Sequence, residues 1–281
     1  MPSPAGIVAY CTLAALQGAL VALPRPAGSA VWSRLRSPGW ALVLPGSLLV
    51  GTFGVLAVPR FATALAVLAA ITTPVLAALA VTNFARGSYV AWLAALPALG
   101  AGLVSHWSWP ADLAASMLTA LGCLTLGVAL VRLTPMRWLA AAIAAMCVVD
   151  VVLLATGVGQ PAAALLNHAL SNSRLPEFHQ AQLGPVTKDY PDLVLTAVLG
   201  SMLASNAALQ RTAAVLVAVL ASANGVFFLV ADILPATVPL GVAAAMVFAL
   251  ERRRSRPRRP AHRRAVLAPF PARSAAESSV S

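Results

Sequence analysis

A carboxylate placed at the centre of a bilayer helix costs about 2.5–3.5 kcal/mol, so a sequence that keeps one there calls for a physical reason. Asp150 is such a residue. It lies in Met146-Cys147-Val148-Val149-Asp150-Val151-Val152-Leu153-Leu154, with no other charged side chain for a dozen positions on either side. Asp192 opens the following apolar segment, in Asp189-Tyr190-Pro191-Asp192-Leu193-Val194-Leu195-Thr196. Two aspartates brought within hydrogen-bond reach cannot both ionise cheaply and come to share one proton. One then acts as a base toward water and the other as an acid toward a carbonyl, which is the chemistry of peptide hydrolysis without a metal. Plainer readings stand beside this one. Asp150 as a buried, protonated acid would bond a neighbouring helix, and Asp192 as an interfacial acid would be favoured by a helix dipole.

Other routes to chemistry lack their parts. No His-Glu-x-x-His stretch supplies zinc ligands and no Gly-x-Ser-x-Gly element supplies a nucleophile. Cys11, Cys123 and Cys147 are odd in number and lie in apolar stretches, against a disulfide framework or zinc site, so no metal or other cofactor is expected. His106, His168 and His179 fall in polar connections and read as solvated surface. A third feature is Leu234-Pro235-Ala236-Thr237-Val238-Pro239-Leu240, whose prolines four apart remove amide donors and leave carbonyls free. Such backbone could pair with an extended substrate strand. A proline in the first turn of a helix explains it equally well.

The elements that must carry these residues are apolar helices. Of the 281 residues 60% are hydrophobic and 10% charged, against about a quarter charged in ordinary soluble domains. Apolar segments fall at roughly 5–23, 39–58, 61–82, 89–105, 111–131, 137–158, 190–209, 211–230 and 233–250, each near the length of about 20 residues that a bilayer requires. The expected fold is all-α, a polytopic bundle of about nine spans over residues 1–250. Residues 251–281 form a basic tail of Arg, Pro, Ala and Ser that reads as disordered. The long polar connection at about 159–189 holds Pro161-Ala162-Ala163-Ala164-Leu165-Leu166, the start of a short interfacial helix.

The formal charge of +11 is concentrated after the last apolar run, in Arg252-Arg253-Arg254-Ser255-Arg256-Pro257-Arg258-Arg259. That position favours membrane topology and contact with anionic lipid headgroups over nucleic acid. No basic residue precedes the first span, and Arg25, Arg34 and Arg36 follow it. The expected orientation in the cell membrane therefore has the amino terminus outside and the tail in the cytoplasm. Counting about 1.5 Å per residue from Arg137 puts Asp150 roughly 20 Å above the inner boundary. Counting from Asn206 puts Asp192 at about 21 Å, and counting from Arg211 at about 28 Å.

This order of features resembles the presenilin and signal peptide peptidase family of intramembrane aspartyl proteases. The likeness covers mainly residues 137–250, spans six to nine. The family's Tyr-Asp reads Val149-Asp150 here, its Gly-x-Gly-Asp reads Asp189-Tyr190-Pro191-Asp192, and its Pro-Ala-Leu reads Pro235-Ala236-Thr237. The resemblance implies Asp150 and Asp192 as the catalytic pair, with Pro235 and Ala236 shaping the site and holding substrate. Substrates would be single transmembrane helices or signal peptide remnants. The glycines that give the family close approach around its second aspartate are absent, and Pro191 stiffens the chain instead. Two other classes stay open: a proton-coupled transporter or channel that uses Asp150, and a membrane scaffold in which the many Ala and Gly serve helix packing.

Overall fold

The computed structural model describes residues 4–25, 30–84, 109–173, 178, 180–184, 186–227 and 237–255. Nine α-helices run through the described residues: α1 Pro4–Ala22, α2 Val43–Ala57, α3 Pro59–Phe84, α4 Trp109–Leu133, α5 Met136–Ala155, α6 Gly159–Ser173, α7 Tyr190–Leu203, α8 Ala207–Phe227 and α9 Val238–Ser255. Two 3₁₀ segments, Ala30–Leu35 and Pro38–Leu42, lead into α2. An antiparallel hairpin, β1 Gln180–Leu183 and β2 Val186–Asp189, leads into α7.

Among the described residues, five stretches are long and apolar enough to cross a membrane: Pro38–Ala57, Arg60–Val81, Ala111–Leu133, Met136–Ala155 and Ala207–Gly225. Gly6–Ala22 and Tyr190–Leu203 are apolar but shorter. The span expected at 89–105 lies outside the described residues, as do Asp232, Pro235, Ala236 and the chain beyond Ser255. The last helix runs past its expected end at 250, through Arg252, Arg253 and Arg254.

Side-chain exposure identifies the solvent. On α3 the residues Val67, Leu68, Ile71, Val75 and Leu79 are exposed and lie on one stripe at helical spacing; Val215 and Val219 on α8, and Val50 and Phe53 on α2, do the same. A helix in water turns such a stripe inward, and many such stripes facing out on one molecule fit hydrocarbon as the surrounding medium. The architecture is that expected of a helical integral membrane protein.

Helix α7 behaves in the opposite way, with every residue from Asp192 to Gly200 buried. It packs against α1, α2, α4, α8 and α9. Small residues permit this: a Cβ on Gly200 would lie 2.5 Å from the Val21 backbone, and one on Gly127 of α4 would lie 2.7 Å from Ala197. Close backbone approach of this kind is how helices gain packing contacts where no hydrophobic force drives them together. Pro191 sits in the first turn of α7, where its missing N–H costs nothing. The break after α7 falls at 204–206 rather than at Arg211, because the Asn206 side chain accepts the Leu209 N–H at 3.2 Å and starts α8 as a cap.

The polar connection before α7 is more ordered than its composition implies. Pro161 lies in the first turn of α6, which packs on α2, α3 and α5. The hairpin turns at Gly184, whose φ of +59° is a conformation that L side chains rarely adopt. It is pinned to α4: Ser116 Oγ donates to the Gln182 carbonyl at 2.7 Å and accepts its N–H at 2.9 Å, and Asp112 Oδ2 accepts the Gly184 N–H at 3.3 Å. This defines a hairpin end of the bundle, where α4 and α7 begin. At the opposite, basic end Arg36 meets the turn between α4 and α5.

Candidate acidic site at the hairpin end

Asp150 stands near the carboxyl end of α5, facing the residue that precedes α9. Its Oδ2 accepts two hydrogen bonds from Thr237, one from the hydroxyl at 2.7 Å and one from the backbone N–H at 3.2 Å. One turn earlier on α5 the Cys147 thiol donates to the Thr237 carbonyl at 3.5 Å. Gly241, one turn into α9, leaves room for this contact, since a Cβ there would lie 2.7 Å from Cys147 Sγ. Asp150 thus caps the amino terminus of α9 from a different helix, where the exposed N–H groups and the helix dipole favour negative charge.

Asp192 lies in the first turn of α7 and is only 5% exposed. Its carbonyl accepts the Thr196 hydroxyl at 2.7 Å, while its carboxyl makes no hydrogen bond to a described residue. The adjacent strand end supplies the site's cation. Lys188 is 5% exposed; its Nζ donates to the Tyr10 hydroxyl at 3.0 Å and sits 4.5 Å from the centre of the Tyr10 ring. Asp192 lies within electrostatic range of Asp189, Lys188 and Asp150. Asp189, the last residue of β2, has its carboxyl pushed above the ordinary carboxylate range, first by desolvation and then by the charge of Asp150, with Lys188 opposing. The residue keeps an exposed face, so solvent screens much of this effect.

Helices α5 and α7, which a proton shared between Asp150 and Asp192 would make neighbours, do not run side by side. Helix α5 packs on α2, α6 and α9, and α7 on α1, α2, α4, α8 and α9, so the two share no extended interface and are joined through α2 and α9. Asp150 and Asp192 still come within electrostatic range of each other, because the hairpin end gathers the start of α7, the start of α9 and the end of α5. Pro235 and Ala236 lie outside the described residues, but Thr237, next in the same motif, touches Asp150 directly.

Lys188 and Tyr10 carry part of the site and were not singled out from the sequence. One signal was available. Lys188 is the only lysine beside eighteen arginines, and it stands between a strand and two acids. No family model, no curated protein and no solved structure matches the chain.

Proposed function

We propose that this protein is an intramembrane aspartyl protease, oriented with its amino terminus outside and its basic tail in the cytoplasm, that cuts single transmembrane helices or signal peptide remnants with Asp150 and Asp192. The observation that carries the reading is the double hydrogen bond from Thr237 to Asp150. It joins the acid of α5 to the Pro235-Ala236-Thr237 motif, within electrostatic range of the acid of α7.

In this reading the two donors of Thr237 fix the orientation of Asp150, leaving its second oxygen to accept a proton from water. Asp192, buried and with a carboxyl that no described residue hydrogen-bonds, is the proton carrier and donates toward the scissile carbonyl oxygen. The water adds to the carbonyl carbon as its proton passes to Asp150. The tetrahedral intermediate then collapses: Asp150 passes that proton to the departing amine, the C–N bond breaks, and one hydroxyl of the intermediate returns a proton to Asp192. Pro235 and Ala236 would shape the site and hold an extended stretch of substrate beside the pair.

One observation favours a second reading. Lys188 is buried beside Asp189 and Asp192, an arrangement that can load and release a proton without any covalent step and so suits proton-coupled transport. A peptide in which a hydroxyethylene group replaces the scissile amide separates the two, because it mimics the tetrahedral intermediate and binds a hydrolytic site more tightly than substrate. Reconstituted protein is expected to bind it, to lose binding in Asp150→Asn and Asp192→Asn, and to keep it in Asp189→Asn. Proton uptake into vesicles that survives Asp192→Asn, with no peptide binding, overturns the protease reading.

A further inference from the structure

At the basic end, the chain between the 3₁₀ segments crosses the turn joining α4 to α5. The Ser37 N–H donates to the Leu133 carbonyl at 2.8 Å, and Arg36 Nη2 donates to the Thr134 carbonyl at 3.4 Å. Arg132, two residues back on α4, is half-buried, and its Nε is sealed from solvent without an acceptor. The Thr134 hydroxyl is likewise buried without a partner. Two arginines therefore border one turn, and no described acid forms an ion pair with either. Of the described acids, Asp112, Asp150, Asp189 and Asp192 belong to the hairpin end, and Glu251 lies on the far, exposed turn of α9 among Arg252 and Arg253.

The surroundings indicate what kind of anion fits. Trp40 and Trp138 are both exposed beside this turn; the Trp40 indole N–H donates to the Leu35 carbonyl at 3.1 Å, and the Arg137 guanidinium lies 5.9 Å from the centre of the Trp138 ring. Exposed tryptophans with arginine mark the boundary between headgroups and hydrocarbon. From the same 3₁₀ segment an exposed apolar track leaves along α2 through Leu42, Val43, Val50 and Phe53. A free phosphate would use only the arginines, whereas a phospholipid uses the arginines and the track together.

We propose that Arg36 and Arg132 form a binding site for the phosphate of one anionic phospholipid, its acyl chains lying along α2. Bidentate guanidinium contacts would satisfy the orphaned Arg132 donor and tie the first 3₁₀ segments to the α4–α5 turn. This site is separate from the acidic end and from the arginines that follow α9.

The test uses the full chain purified in mild detergent and read by native mass spectrometry during titration with phosphatidylglycerol, phosphatidylcholine and inorganic phosphate. The expected result is one tightly retained phosphatidylglycerol. Its affinity should fall about tenfold in Arg36→Gln, which alters an exposed side chain and leaves the fold intact, and further in Arg36→Gln with Arg132→Gln. Replacing Arg252, Arg253 and Arg254 by Gln should leave that lipid in place. Equal retention of phosphatidylcholine, displacement by millimolar inorganic phosphate, or unchanged affinity in Arg36→Gln would each overturn the proposal.

Discussion

Replacing Thr237 by Val removes the shorter of the two hydrogen bonds that hold Asp150 while keeping the side chain's shape and its backbone N–H. A hydrogen bond to a charged group contributes about 1.5–3 kcal/mol in soluble proteins. Interhelical polar contacts within membranes average about 0.6 kcal/mol and reach about 1.7, because the unfolded helices find other partners in the bilayer. The contact at 2.7 Å is short and charge-assisted, so a loss of about 1 kcal/mol is expected for Thr237→Val. Asp150→Ala removes the whole cap of α9 and should cost about 1–2 kcal/mol. If the two act through one interaction, the double variant is less destabilised than the sum by about 1 kcal/mol, about fivefold in the unfolding equilibrium. The assay is unfolding in mixed micelles of increasing denaturing detergent, followed by circular dichroism. Additive losses, with a coupling below about 0.3 kcal/mol, would refute the claim that Asp150 is held by Thr237.

Three further outcomes follow from the packing and the charges. Gly200→Ala places a methyl group 2.5 Å from the Val21 backbone and should destabilise by about 1–3 kcal/mol, whereas Gly46→Ala, with nothing within 4 Å, should be close to neutral in the same unfolding assay. Lys188→Met leaves Asp189 without its cation, so it should lower stability by about 1 kcal/mol at pH 7, and by clearly less at pH 4, where Asp189 takes up its proton. For Asp189 the folded carboxyl binds its proton more tightly than the unfolded one, so its stabilising contribution is complete below the unfolded value near pH 4 and is lost as pH rises through the higher folded value. Asp189→Asn should therefore match the parent in melting experiments near pH 4 and exceed it at neutral pH; the reverse order would show that the Asp189 charge is stabilising.

The residues that the sequence marks out most strongly are the ones for which the medium sets the rule. An acid such as Asp150 in a run of valines stands out because hydrocarbon penalises it, and the structure gives it a partner in Thr237. Helix positions follow from apolar length for the same reason, and the long α4 and α5 lie close to where the apolar segments put them. What escaped was set by contacts across the chain. The hairpin before α7 is short, and it is held by Ser116 and Asp112, some seventy residues earlier. Depth along two helices brought Asp150 and Asp192 to similar levels, but depth says nothing about azimuth, and the bundle inserts α9 and α2 where a proton shared between the two acids would make α5 and α7 neighbours. The partnership of Lys188 with Tyr10 spans 178 positions and has no local signature beyond the rarity of lysine.

The most direct test of the aspartate pair is cleavage itself. Purified protein reconstituted in bilayers with a panel of single-span peptides, read by mass spectrometry of the products, should yield fragments cut within the apolar segment. Asp150→Asn and Asp192→Asn should each lower the rate by at least about a hundredfold, the scale of a lost general acid or base. Fragments that persist undiminished in either variant would contradict the account.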